Sequence, residues 1–354
     1  MAHQAQNMIK YILKRIFLMV PILLGVLIFT WILSHMMSIN PALNQLRSFT
    51  DTEGYQRILR ESGYYDPWFV KLGIYLRNFF NGNWGESHVV LKGQKVLDII
   101  GKIWPKTIEL MFISIVIVPF IAIKLGIVSA SNKNKLKDNL IRGLAIFGAG
   151  IPIFYVGTLA QLFIGIYLQN FTNDLFIMPI LGANEDLWAR AIPSHGIGTG
   201  FRIIDSILYN NQSFLMDTLN HLLLPAFCMI FVSLSGIVRQ TRSSMLDVLD
   251  QDYIRTARAK GVPDEIVINK HALRNAILPT SHIVIGSTAY ALLGSLFIEL
   301  IFNYMGMGYY QLQAIYGGDY FLINGILLFQ AIVIISGTLI ADVAYTIIDP
   351  RIIY

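Results

Sequence analysis

The 354 residues hold a single cysteine, and only 14% of them are charged. With Cys228 alone, an intrachain disulfide is excluded. Soluble domains carry about a quarter charged residues, so this deficit argues against an ordinary water-borne fold. Nucleotide-hydrolysing machinery is also missing. No Gly-x-x-x-x-Gly-Lys-Ser/Thr run exists: Gly101-Lys102 is followed by Ile103, and no glycine stands five positions before Gly101. The chain therefore lacks the usual phosphate cradle and is not expected to hydrolyse ATP. Its seven histidines show no His-Glu-x-x-His spacing, which leaves a zinc protease unsupported. No nucleophile–base pair stands at helical spacing either. Gly196-Ile197-Gly198-Thr199-Gly200 superficially resembles a phosphate loop, but it lacks the strand–helix frame and reads as flexible loop.

What is present is apolar length. Residues 16–33, 144–168 and 321–341 contain no ionisable side chain, and each approaches or exceeds the roughly 20 residues that cross a bilayer as a helix. Weaker runs at 110–130 (with Lys124), 222–238 and 283–302 (with Glu299) bring the expectation to six spans of an all-α integral membrane protein. Basic residues give the orientation. Lys10, Lys14 and Arg15, then Lys133, Lys135, Lys137 and Arg142, then seven between Arg239 and Arg274, and finally Arg351 fall on one side of six alternating spans. The 34–106 segment carries nine, but a loop longer than about 60 residues scarcely votes in the positive-inside rule. Both termini are expected in the cytoplasm. This bias also explains the net charge of +5 without nucleic acid. The basic, then apolar N-terminus is read as a retained first span, since no clear small-x-small cleavage site precedes His35-Met36-Met37.

Ionisable groups in or beside the spans have ordinary explanations. Lys124 can snorkel toward the cytoplasmic side. Glu299 and Asp342 sit near span ends, where solvated or helix-pairing roles outweigh substrate contact, and His221 and His282 read as wet boundary residues. The scattered small residues Gly148, Gly150, Gly157, Gly286, Ser287, Gly294, Ser295, Ser336 and Gly337 permit close helix packing.

Two external segments are expected. In the first, 66–80 looks like an amphipathic helix with Pro67 in its first turn, ended by Asn81-Gly82-Asn83-Trp84-Gly85. The second, 169–219, reads as loops with short helices. Between spans four and five lies a basic island with the layout helix, stop, helix. The stretch 243–260 has no Gly or Pro and ends in Arg258 and Lys260, Gly261 can take the left-handed cap, and Pro263 with Asp264 and Glu265 suits a new first turn. The second helix is expected to stop at Pro279. Small Thr256, Ala257 and Ala259 beside the break would let another protein approach the backbone. The segment reads as a docking elbow.

The runs 240–249, 252–261 and 271–279 are similar to the EAA-loop region of ABC-importer permeases, and more narrowly to the peptide/nickel branch, on the subunit with the long first external segment. The likeness extends over nearly the whole chain: Lys14-Arg15, Gly82-Asn83-Trp84-Gly85-Glu86-Ser87, Glu299 with Gly306-Met307-Gly308, Gly318-Asp319-Tyr320, and the ending Asp342 with Asp349-Pro350-Arg351. Arg255 and Thr256 stand where the generic motif has Glu and Ala, as is usual in this branch; Ser38-Ile39-Asn40-Pro41 stands where the family often has Pro-Gly-Asp-Pro.

The resemblance implies a type I importer fold of six transmembrane helices with a cytoplasmic coupling helix, in a prokaryotic cell membrane. It implies a first span and external segment at 1–106, and a core at 107–354 that carries the external insertion 169–219 and the cytoplasmic loop 239–281. Implied partners are a second homologous permease, two cytoplasmic ATPases that bind the ATP and Mg, an external binding protein or lipoprotein, and lipid. Asp252, Tyr253, Arg255, Thr256, Ala257, Arg258, Ala259, Lys260 and Gly261 become the ATPase-coupling residues. Dipeptides or oligopeptides are the expected solutes, with nickel chelates or oligosaccharides as alternatives. A stand-alone secondary transporter or channel using Glu299 and Asp342 is the rival class.

Overall fold

The computed structural model describes residues 2–36, 66–173, 175, 178–182 and 198–348, with side chains described for all of these but 2–12, 33–36, 288–294 and 344–348. The expectations placed on Ser38-Ile39-Asn40-Pro41, on much of 169–219 and on Asp349-Pro350-Arg351 lie outside them. Regular structure among the described residues is helical, beside one isolated bridge between Glu86 and Lys95. The helices are α1 (Ala2–Met36), α2 (Trp68–Phe80), α3 (Val96–Ser131), α4 (Leu136–Gly150), α5 (Ile153–Ala160), α6 (Arg202–Leu208), α7 (Gln212–Leu249), α8 (Asp252–Ala259), α9 (Leu273–Ile301), α10 (Met307–Gly317) and α11 (Tyr320–Ile348). Helix α5 continues through the π-helical Gln161–Tyr167 into Leu168–Phe171, and α9 is entered through Asp264–Ile266 and the π-helical Val267–Ala272.

Five described helices are long and apolar enough to cross a membrane: Leu13–Ile32, Val96–Ser131, Ile153–Phe171, Gln212–Leu249 and Tyr320–Val343. The sixth expected run, 283–302, falls within α9, where residues 288–294 carry no described side chains. Two expectations are corrected. The run 144–168 is not one helix: α4 stops at Gly150, Ile151 is extended (φ −91°, ψ 127°), and α5 starts after Pro152. Proline has no N–H to donate and pushes the residue before it out of the helical region, so apolar length alone overstated the span. Pro279 does the reverse, lying inside α9, as Pro21, Pro105, Pro119 and Pro225 lie inside α1, α3 and α7. Long apolar helices tolerate such prolines because neighbouring groups re-satisfy the freed carbonyls.

The chain divides into two compact units, residues 1–104 with 310–336, and residues 105–309 with 337–354. In the first, the hydroxyls of Thr30 and Tyr75 fasten α2 to α1 at 3.3 Å. The Trp84 ring stacks on Phe79 (centroids 5.1 Å) and donates its indole N–H to the Phe79 carbonyl, which ends the helix in the expected turn. Buried Asp319 caps α11 through Leu322 N–H and also accepts from Ser87 Oγ, Val89 N and Val90 N, so one carboxylate ties the 87–90 loop to a helix start. Burial alone would raise its pKa; these four donors outweigh it and hold the carboxyl below the ordinary aspartate range. A depressed pKa stabilises the fold above the unfolded value of about 3.9 and loses that contribution as pH falls through the folded value. Asp319→Asn keeps a capping oxygen but loses the charge that strengthens the bonds from Ser87, Val89 and Val90, and should lower thermal stability by about 1–2 kcal/mol at neutral pH. In melting curves of the detergent-solubilised protein, the gap to wild type should narrow below about pH 4.

In the second unit, Val118, Ala122, Ala145, Ile237 and Val238 join α3, α4 and α7 in one core. Gly126 is the contact that lets α3 and α7 close: a Cβ there would lie 2.5 Å from Thr241 Cβ. On the far side of this unit, Glu109 Oε1 accepts from Ile203 N at 2.7 Å, and buried Arg202 lies over the Tyr304 ring at 5.6 Å, which docks α6.

Candidate coupling site

Helix α7 has 38 residues, about 57 Å at 1.5 Å per residue, so it outruns a hydrocarbon core of about 30 Å. Its last turns carry Arg239, Gln240, Arg242 and Asp247, side chains suited to water. The chain then turns twice. Contrary to the expected single helix over 243–260, α7 ends at Leu249, Asp250 caps it, and Gln251 is extended (φ −74°, ψ 149°) before α8 starts. No Gly or Pro marks this first corner, so residue type gave no warning of it. The second corner is where the sequence puts it. Gly261 has φ +76°, Gly261 N bonds Arg258 O at 2.9 Å, and Val262 N bonds Ala257 O at 3.3 Å. These two bonds form a Schellman cap, completed by Ala257 and Val262 packing on one apolar cluster. Pro263 falls one position earlier than expected, at the cap of the next helix with φ −53° and ψ 138°.

One side chain roots α8. Ile254 is fully buried against Ala130 of α3, Met245 of α7, and Val267, Ala272 and Ala276 at the entry to α9. Burying it contributes about 1.5–3 kcal/mol. Ala257 is half-buried beside it, whereas Asp252, Tyr253, Arg255, Thr256, Arg258, Ala259, Lys260 and Gly261 are exposed. The nine sequence-named residues lie on α8 and its Gly261 cap, and all but Ala257 are exposed. The ion pairs Arg255–Asp252 (3.3 Å) and Arg258–Asp264 (3.1 Å) are exposed and contribute little, although the second spans the Gly261 corner. Tyr253 OH accepts from Asn275 Nδ2 at 2.9 Å, a second tie from α8 to α9.

Behind the elbow lies a clamp that sequence reading missed. Asp138, in the first turn of α4, is completely buried and takes two bonds of 2.8 Å from Arg242 Nε and Nη2 of α7. Ser129 Oγ (2.6 Å) and Asn134 N (2.9 Å) also donate to it. The Arg242 bond, backed by these donors, outweighs burial and holds the Asp138 carboxyl well below the usual range. The only hint in the sequence is an acid amid Lys133, Lys135 and Lys137. Arg242 lies one helical turn before Met245, so the clamp and the Ile254 cluster form one continuous block.

Of the two roles expected for Glu299, its full burial excludes solvation and leaves helix pairing. Fully buried Glu299 accepts from Thr107 Oγ1 (2.9 Å), Gly308 N (2.7 Å) and Tyr309 N (3.1 Å), capping α10 and pairing it with α3 and α9. Lys124 is exposed, Asp342 half-buried, and His221 bonds the Asp217 carbonyl at 2.8 Å one turn back.

Residues 122–354 match the family of binding-protein-dependent transport system inner membrane components. The chain is 32% identical over 352 residues to a dipeptide transport system permease from Alkalihalophilus pseudofirmus, covering 98% of this chain and 100% of that one. It is 32% identical over 347 residues to an oligopeptide transport system permease from Bacillus subtilis, with 98% and 100% covered. Over 347 residues it is 30% identical to the Escherichia coli K12 dipeptide permease, with 98% and 99% covered. The chain belongs to this permease family. The α7–α8–α9 elbow lies inside the matched region of the permease, as do Asp138, Arg242 and Glu299. The resemblance carried by 240–279 thus agrees with comparison along the whole chain, and the protein is a multi-pass membrane permease.

Proposed function

We infer that this permease is a non-catalytic subunit of an ATP-driven importer, and that the elbow is where a cytoplasmic ATPase grips it. The observation that carries this reading is the division of labour on α8. A single buried isoleucine roots it, a glycine cap fixes its end, and a basic face with small Thr256 and Ala259 is left for a partner. The basic bias of the connections supports a cytoplasmic elbow and cytoplasmic termini. Moving a two-state balance from 1:99 to 99:1 takes about 5.5 kcal/mol of differential stabilisation. Glu299, spent on capping a helix, is a poor source for it, whereas two ATPases closing on two rooted elbows are a sufficient one. The path is formed with a second homologous permease, and the 34–106 and 169–219 segments face an external binding protein or lipoprotein that delivers the solute. Peptides are the favoured cargo, because the relatives are named as dipeptide and oligopeptide permeases.

Ala259→Trp tests the docking face without touching the core, since Ala259 is exposed. The tagged variant should insert and melt like wild type yet retain less than about a tenth of the co-purifying ATPase, a loss of at least 1.4 kcal/mol in affinity. Unchanged retention would remove the docking assignment. Mass spectrometry of the binding protein's native ligand then separates peptides from nickel chelates and oligosaccharides.

A further inference from the structure

Within the second unit, α5 lies against the last turns of α9. Phe154 meets Phe297 with ring centroids 5.9 Å apart, and a Cβ on Gly157 would touch Ile298 and Ile301 at 3.3–3.5 Å. One turn further on, Gln161 Nε2 donates to the Ile301 carbonyl at 2.9 Å and to the Ile180 carbonyl at 2.7 Å. Helix α9 stops there, and residues 178–182 take its place on the same face of α5. Gly165 is buried, and a Cβ on it would overlap Ile180 Cγ2. A Cβ on Gly182 would in turn overlap the Asn303 carbonyl oxygen. The short segment is thus held between α5 and the corner that follows α9.

The end of α9 explains what Gln161 does. A helix leaves its last four carbonyls without intrahelical partners. Here Ile298, Glu299 and Leu300 receive Phe302 N, Tyr304 N and Asn303 N, with Asn303 left-handed at φ +49°. The fourth, Ile301, receives Gln161. One neutral side chain therefore fastens α5, the 178–182 segment and the α9 corner together. It also opens the π-helical Gln161–Tyr167, after which Leu168 N reaches back five residues to Phe163 O. Such wide turns are rare and cluster at functional sites.

We propose that Gln161 and residues 178–182 form an external latch between α5 and α9, which must release and re-form in each transport cycle. The latch rests on the importer and the orientation proposed above. Helix α9 is continuous from Leu273 to Ile301, 29 residues or about 44 Å at 1.5 Å per residue. Its first turn, through Ala276, packs into the Ile254 cluster of the elbow, and its last carbonyl is the one that Gln161 holds. A helix is stiff along its axis, so a pull on the elbow arrives at the latch. The fastening suits repeated release. It consists of two hydrogen bonds from an uncharged amide and one isoleucine–glycine contact, with Ile180 itself half-buried. Neutral hydrogen bonds of this kind exchange for water at little net cost.

The test joins Gly165→Cys to Ile180→Cys, whose Cβ atoms would lie 3.3 Å apart, close to the spacing that a disulfide needs. The single native thiol, Cys228, is buried and does not compete. The purified complex with its co-purifying subunits is reconstituted, oxidised with diamide and then reduced with dithiothreitol, while mass spectrometry reads the link. ATP-dependent uptake should fall at least about tenfold on oxidation and return on reduction. A fully linked protein that takes up solute at the reduced rate would overturn the proposal. A second variant, Gln161→Leu, removes both hydrogen bonds and keeps a side chain of similar size. In detergent, maleimide should label Ile180→Cys about fivefold faster in the Gln161→Leu background than with the glutamine present. Equal labelling rates would overturn the latch whether or not the cysteine pair assembles. Uptake by wild type without any ATPase would refute the importer reading, and the labelling comparison would still support or overturn the latch.

Discussion

Gly261→Val is expected to abolish transport while leaving the permease in the membrane. The effect does not come from crowding, because nothing lies within 4 Å of where a Cβ would sit. It comes from the backbone. At φ +76° a β-branched residue is a steric outlier, and forcing it costs about 1–3 kcal/mol. The cheaper outcome is to lose the cap, with the bonds Gly261 N–Arg258 O and Val262 N–Ala257 O. Helix α8 would then no longer point its exposed face in one direction, and ATPase activity should cease to respond to substrate. Gly261→Asn separates this cause from a general intolerance, since asparagine enters the left-handed region far more easily. The asparagine variant should keep a substantial part of the transport rate and valine almost none, measured as ATP-dependent uptake into vesicles. Equal activity in the two would mean that the cap is not what the elbow needs.

The largest loss of stability should follow Arg242→Leu. Asp138 is wholly buried and draws two of its four hydrogen bonds from that guanidinium. Removing one partner of a buried pair leaves an uncompensated charge, which costs about 3–5 kcal/mol. The double variant Arg242→Leu with Asp138→Asn removes that charge and should recover at least about half of the loss, as a cycle of melting midpoints on the solubilised protein reads directly. If the double variant is no better than the single, the pair is not the clamp described above.

The division between what the sequence reveals and what it conceals follows from the range of the forces involved. Long apolar runs and positive-inside bias are carried by composition, so the span-forming helices and the basic elbow are legible. Gly261 is legible because only a left-handed cap suits a glycine between two helical runs. The break at Gly150–Ile151–Pro152 was hidden by apolar length, and the Leu249–Asp252 corner by the absence of any breaking residue. Pro279 misled in the other direction, because surroundings that satisfy its orphaned carbonyl are tertiary. Ile254, the root of the elbow, looks like one more aliphatic residue in a charged stretch. The Asp138–Arg242 clamp joins positions 104 residues apart, and no local pattern announces such a partnership.

The central claim is that the permease is moved by a motor outside its own chain, through α8. Uptake by proteoliposomes containing this chain and the second permease proposed for it, with and without the proposed ATPase subunits and ATP, tests it most directly. Solute should accumulate only when ATPase and ATP are both present, and not at all when the permeases carry Gly261→Val. Accumulation by the permeases alone, without any nucleotide-hydrolysing subunit, would contradict the account.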